Sequence, residues 1–142
     1  MGELITAGKM ILAGLVTLPI AINRERHTRI MGIRTFPLVA IGTCGFILLT
    51  QTFIGPDNPD AAARIIQGIL SGIGFVGGGA ILKNDDHVKG TECAAGIWVT
   101  GGIGAAIAYD VWTVAAVLSF STFLIFYFLT PLKTEDHPAE DA

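Results

Sequence analysis

Apolar residues in this chain come in long blocks rather than in the period-two alternation of a half-buried strand. They run from about Ile5 to Ile22, Thr35 to Ile54, Ala63 to Leu82, Glu92 to Tyr109 and Val111 to Leu132. Each is close to the roughly 20 helical residues that cross a bilayer core about 30 Å thick. The separators are short and polar: INRERHTRIMGIR, GPDNPDAAAR, KNDDHVKG and the single reversal at Asp110. Five transmembrane helices in one all-α bundle over residues 1–132 follow, with 133–142 an acidic cytoplasmic tail. In the second separator Asn58 or Asp57 is placed to cap a helix with Pro59 in its first turn. Thr91 is the expected N-cap of the fourth span.

The five spans differ in character. ECAAGIWVTGGIGAAIAY is so rich in Gly and Ala that its own insertion energy is marginal, so neighbouring helices should shield it. The fifth span, rich in Phe, Leu, Ile and Val, reads as the most lipid-exposed. Lys9, near the start of the first, is placed to snorkel to the interface.

Composition strengthens the picture: 51% of the 142 residues are hydrophobic, 15% are charged, and the mean hydropathy is +0.62. Eighteen glycines would weaken soluble helices, but in lipid small residues let helices approach closely. The formal charge of -3 arises largely in KTEDHPAEDA and implies no nucleic-acid partner. Basic loops stay cytoplasmic. Seven Lys and Arg (Arg24, Arg26, Arg29, Arg34, Lys83, Lys89, Lys133) fall on one side against Lys9 and Arg64 on the other. The N-terminus is therefore expected outside, the C-terminus in the cytoplasm, and Tyr109 and Trp112 near the outer interface.

Candidate chemistry is sparse. Gly68 and Gly72, and separately Gly74 and Gly78 with Ser71 extending their stripe, have the spacing that aligns small residues on a helix face. They read as tight packing within the bundle or, together with the small residues of the fourth span, as a face for a partner or a second copy. Charges at the edge of lipid need a partner or water, which singles out Glu92, Arg64 and Asp110. Glu92 either complements the dipole of the fourth helix or coordinates a moving cation in a wet cavity with Arg64 and Gln67. Asp60 and Arg64 have ion-pair spacing. Asn23, Glu25, Gln51 and Gln67 read as polar contacts between helices, and Cys44 and Cys93 as buried small residues. Asp85, Asp86 and His87 read as a solvated loop. No spacing assembles a nucleophile, base and orienting group, and no cofactor is implied.

RERHTRIMGIRT, DAAARIIQGILSGIGFVGGGAIL and VKGTECAAGIWVTGGIGAAIA, in that order, resemble the membrane domain of the MgtC/SapB family. The similarity falls on Arg24, Glu25, Arg26, Gly32, Arg34 and Thr35 in the basic loop, on Asp60 and Arg64, on Ser71, Gly72, Gly74, Phe75, Gly77 and Gly79, and on Gly90, Ala94, Ala95 and Trp98. It departs from the family at Asn23, where an acid is usual, near Glu92, where a hydroxyl residue is usual, and at Gly78, usually Ala. The resemblance implies about five membrane helices, no enzymatic centre, and a role in adaptation to low magnesium or in virulence, exerted on a membrane partner such as the ATP synthase membrane sector. It also implies a bacterial inner-membrane location. Longer members carry a soluble C-terminal domain, in place of which only the acidic tail is expected here. The competing expectation is a small Mg²⁺ or H⁺ transporter subunit working as a homo-oligomer.

Overall fold

A computed structural model describes residues 2–27, 31–54, 58–84 and 87–133. Its helices are α1 (Gly2–His27), α2 (Thr35–Phe53), α3 (Pro59–Gly78), α4 (Thr91–Ala108) and α5 (Trp112–Lys133), with a short antiparallel hairpin of β1 (Leu82–Asn84) and β2 (His87–Lys89) between α3 and α4. All five helices are long and apolar enough to cross a membrane.

Local chemistry explains where the helices begin and end. The Asn58 side chain accepts from Ala61 N at 3.2 Å with Pro59 at the first helical position, so α3 starts four residues before its apolar block. It ends at Gly78, four residues before the block does, and the chain enters the hairpin rather than a plain loop. Helix α1 continues past its apolar block through Arg24 and Arg26, because cations are stabilising at a helix C-terminus. Before α2, Glu25 Oε2 accepts from Ile33 N at 3.0 Å, and a Cβ at Gly32 would collide with Glu25. Gly90, not Thr91, is the N-cap of α4; it has a left-handed φ of 91°, and a Cβ there would strike the Ala80 carbonyl. Asp110, at φ 61°, makes the reversal into α5, a conformation that Asp tolerates better than most side chains.

Helix α4 is the axle of the bundle, packing on α2 most extensively and also on α5, α3 and α1. Of its apolar window 56% is buried, against 11% for α3 and 17% for α5. Shielding of the Gly- and Ala-rich span is thus realised, while α3 rather than α5 is the most exposed helix. An apolar run in sequence does not distinguish a face toward lipid from one toward protein. Buried α4 residues point all round the helix, from Gly96 and Ile97 to Ile103, Gly104 and Ile107, the mark of a core helix. Its glycines are contact points. A Cβ at Gly104 would strike the Ala40 carbonyl of α2, one at Gly101 the Ile73 side chain of α3, and one at Gly96 would lie 2.7 Å from the Phe126 ring of α5. Cys44 and Cys93 are buried in α2 and α4. Hydroxyls in the core are satisfied locally: Thr100 Oγ1 donates to Gly96 O at 2.8 Å and Thr17 Oγ1 to Gly14 O at 2.8 Å. Ser119 of α5 donates to Val16 O of α1 at 2.9 Å, in the turn before the Pro19 that interrupts the α1 ladder.

Candidate functional site

The bundle has two polar ends, and each is closed by an ion pair between distant parts of the chain. At one end Arg24, carried on the last turns of α1, reaches Glu92 in the first turn of α4, with Nη2 3.2 Å from Oε2. The guanidinium also lies over the Phe126 ring of α5, 4.5 Å from its centroid, a contact that stabilises a desolvated cation further. Side-chain exposure is 1% for Arg24 and 37% for Glu92, so the cation is held in the protein while the carboxylate keeps contact with its surroundings. Arg24 is therefore a helical core residue rather than part of a cytoplasmic loop. The pair joins α1 to α4, and the ring contact adds α5. Next to it, Asn23 is buried and its Oδ1 has no hydrogen-bond partner among the described residues.

At the other end Lys9 Nζ lies 2.7 Å from Asp110 Oδ2 and donates to Ala108 O at 3.3 Å. Its charge is met by the α4–α5 turn at the end of the bundle. Tyr109 and Trp112 are exposed beside it.

Glu92, Arg64, Gln67 and Asp60 do not come together. Glu92 lies at the Arg24 end, whereas Arg64 is in the second turn of α3, roughly 20 Å of helix away from the Gly78 terminus. Asp60, Arg64 and Gln67 are all exposed, and Asp60 and Arg64 do not close the ion pair that their spacing permits. Within one chain Glu92 is engaged by Arg24, and Arg64 and Gln67 border separate hollows. Arg26 and Arg34 are exposed. Asp85 and Asp86 lie outside the described residues, as does residue 29 and the acidic tail from residue 134.

The small-residue stripes of α3 are equally informative. A Cβ added at Gly68, Gly72, Gly74 or Gly78 meets nothing within 4 Å, so none of the four packs inside the bundle. Packing against α4 falls instead to Gly77, where a Cβ would lie 3.1 Å from Ala94 O, and to Ile73 on Gly101. At 3.6 residues per turn the open positions divide into two strips about a quarter turn apart. Arg64, Gly68 and Gly72 border a groove between α2 and α3. Gln67, Ser71, Gly74 and Gly78, all exposed, form the outer strip.

Comparison with known proteins adds to this geometry. The profile of the MgtC family matches residues 10–135, nearly the whole helical bundle. The chain belongs to the MgtC family. Among curated relatives of this family member, the protein SrpB of Synechococcus elongatus is 35% identical over 127 residues, covering 82% of this chain and 70% of SrpB. MgtC of Brucella abortus is 32% identical over 126 residues, 89% of this chain and 50% of that protein. MgtC of Salmonella typhimurium is 39% identical over 95 residues, 67% of this chain and 39% of that protein. The chain thus spans half or less of the MgtC proteins that it matches. No solved structure matches it significantly. Family membership and five apolar helices together make this a multi-pass membrane protein.

Sequence reasoning singled out Arg24 and Glu92 for separate reasons and missed that they pair, and it missed Phe126 altogether. The signal available was that an acid at the edge of one span and a base at the edge of another lay on the same side by charge count, and membrane charges need partners.

Proposed function

We propose that this MgtC family member is a non-enzymatic regulator that acts by helix–helix contact with another membrane protein, in adaptation to low magnesium or in virulence. It lies in the bacterial inner membrane with its N-terminus outside and its C-terminus in the cytoplasm. The observation that carries the reading is the outer strip of α3: Gln67, Ser71, Gly74 and Gly78 are exposed, and a Cβ at Gly74 or Gly78 would meet nothing within 4 Å among the described residues. Association between helices in lipid depends on close van der Waals approach and on hydrogen bonds, which small residues and a Ser or Gln supply. This strip offers both on the helix least committed to the bundle. The membrane sector of ATP synthase, a helical assembly in the same membrane, is the partner to test first.

The experiment is photo-crosslinking in native membranes with a photoreactive side chain at Ser71, followed by identification of the adduct. A single membrane-protein adduct, lost on Gly74→Leu, is expected. Adducts to lipid alone, or Mg²⁺ or H⁺ flux through the purified protein in proteoliposomes, would overturn the regulator reading. Reporter fusions after Arg34 and at the C-terminus are expected to be active in the cytoplasm, and one near Asn58 inactive.

A further inference from the structure

The groove between α2 and α3 has a polarity that the helix contacts do not explain. It encloses about 810 Å³ and runs from Leu38 to Thr50 on α2 and from Val76 back to Arg64 on α3. Twelve helical steps on either wall correspond to roughly 18 Å. Because the two helices are antiparallel in sequence order, Thr50 and Arg64 share one end. Everything further along is apolar or glycine, apart from Thr43. The groove stays open because glycine occurs on both walls: a Cβ at Gly42, Gly68 or Gly72 would meet nothing within 4 Å. Arg64 is exposed, in the second turn of α3, and has no ion-pair partner among the described residues. From there its long side chain can reach the headgroup layer, where an anionic group can meet it.

We propose that this groove is a binding site for one membrane phospholipid, with its phosphate on the Arg64 guanidinium and acyl chain laid along Gly68 and Gly72. A cationic end and an apolar channel match an amphiphile in both charge and length. Guanidinium groups recognise phosphate through paired hydrogen bonds, and an arginine stem can extend along apolar surface to the interface. Charge favours lipid over a second copy of the chain: the groove of about 810 Å³ has one cation at one end of an otherwise apolar length, which calls for an occupant that is anionic at one end only. The site is separate from the outer strip of α3 and does not depend on the regulator reading.

The test is native mass spectrometry of the purified full chain with 1-palmitoyl-2-oleoyl phosphatidylglycerol, and with the diacylglycerol of the same acyl chains, which lacks the phosphate. One phosphatidylglycerol is expected to be retained at activation energies that strip other lipids, with diacylglycerol retained at least about fivefold less. Arg64→Gln is expected to reduce phosphatidylglycerol to the diacylglycerol level. Gly72→Leu and Gly68→Leu, which fill the groove from open positions, are expected to abolish retention of both while the protein stays monodisperse. Equal phosphatidylglycerol retention by wild type, Arg64→Gln and Gly72→Leu would overturn the site. So would a dimer that holds no lipid and is split by Gly72→Leu, since the groove would then be an interface between copies. Failure of both leucine variants to fold would mean that the groove is closed, which also sinks the proposal.

Discussion

Helices α3 and α4 are both rich in glycine and use it in opposite ways. In α4 the glycines at 96, 101 and 104 each meet a neighbouring helix, and substitution would drive a Cβ into a ring, a side chain or a backbone carbonyl. In α3 the glycines at 68, 72, 74 and 78 meet nothing, and only Gly77 touches α4. The same residue type therefore builds the axle of the bundle in one helix and leaves a surface in the next. What separates them is how many neighbours each helix has: α4 is packed on four sides, whereas α3 leans on α4 and touches α2 sparsely. A helix held on one side is free to meet lipid or protein with the other.

The largest effect expected from breaking this contrast is at Gly104. A side chain there has to displace the Ala40 carbonyl, and backbone cannot swing aside as a rotamer can. Gly104→Leu should cost at least the about 1–3 kcal/mol of ordinary overpacking and remove the folded monomer, as read by circular dichroism and size exclusion after detergent extraction.

Next comes the clamp that ties α4 to α1 and α5. Removing one partner of a buried pair typically costs about 3–5 kcal/mol because the other charge is stranded. Glu92 retains 37% exposure, so a medium can partly replace it, and Glu92→Gln should cost about 2 kcal/mol in thermal or denaturant unfolding. A loss of only about 0.3–1 kcal/mol would mean that Glu92 serves the α4 dipole alone. Arg24→Lys should be nearly as harmful, since an ammonium does not reproduce the planar contact with Phe126.

The pair at the opposite end is weaker. Asp110 is 57% exposed in its side chain, and Asp110→Asn should change unfolding by about 0–1 kcal/mol, diminishing as salt is raised. The smallest stability effect belongs to the outer strip of α3. Gly74→Leu and Gly78→Leu should leave the unfolding midpoint unchanged, because each added side chain enters open space, while removing the Ser71 crosslink to the partner.

Spans, their order and the start of α3 were legible from the chain because they depend on local quantities: apolar length, the Asn58 cap and the Pro59 that follows it. The shielding of α4 was legible because a Gly- and Ala-rich segment cannot enter lipid favourably by itself. The pairing of Arg24 with Glu92 was not, since it joins residues 68 positions apart through helix placement that no local pattern encodes. Periodicity likewise revealed that Gly68 and Gly72 share a face and that Gly74 and Gly78 share another, but not whether either face meets a neighbour. It offered tight internal packing as one reading, and the chain leaves both faces open. For the same reason the fourth span, whose glycines also suggested a partner face, is committed to the core instead. Gly90 displaced Thr91 as a cap because the close approach of the Ala80 carbonyl, a tertiary feature, admits no side chain.

The contrast between the two helices is tested most directly by one matched leucine scan in a single detergent, with the midpoint of thermal unfolding read for Gly96, Gly101 and Gly104 of α4 and for Gly68, Gly72, Gly74 and Gly78 of α3. The account predicts that every α4 substitution lowers the midpoint steeply or abolishes folding, and that all four in α3 stay at the wild-type value. Tolerated leucines in α4, or unfolding caused by those in α3, would contradict it.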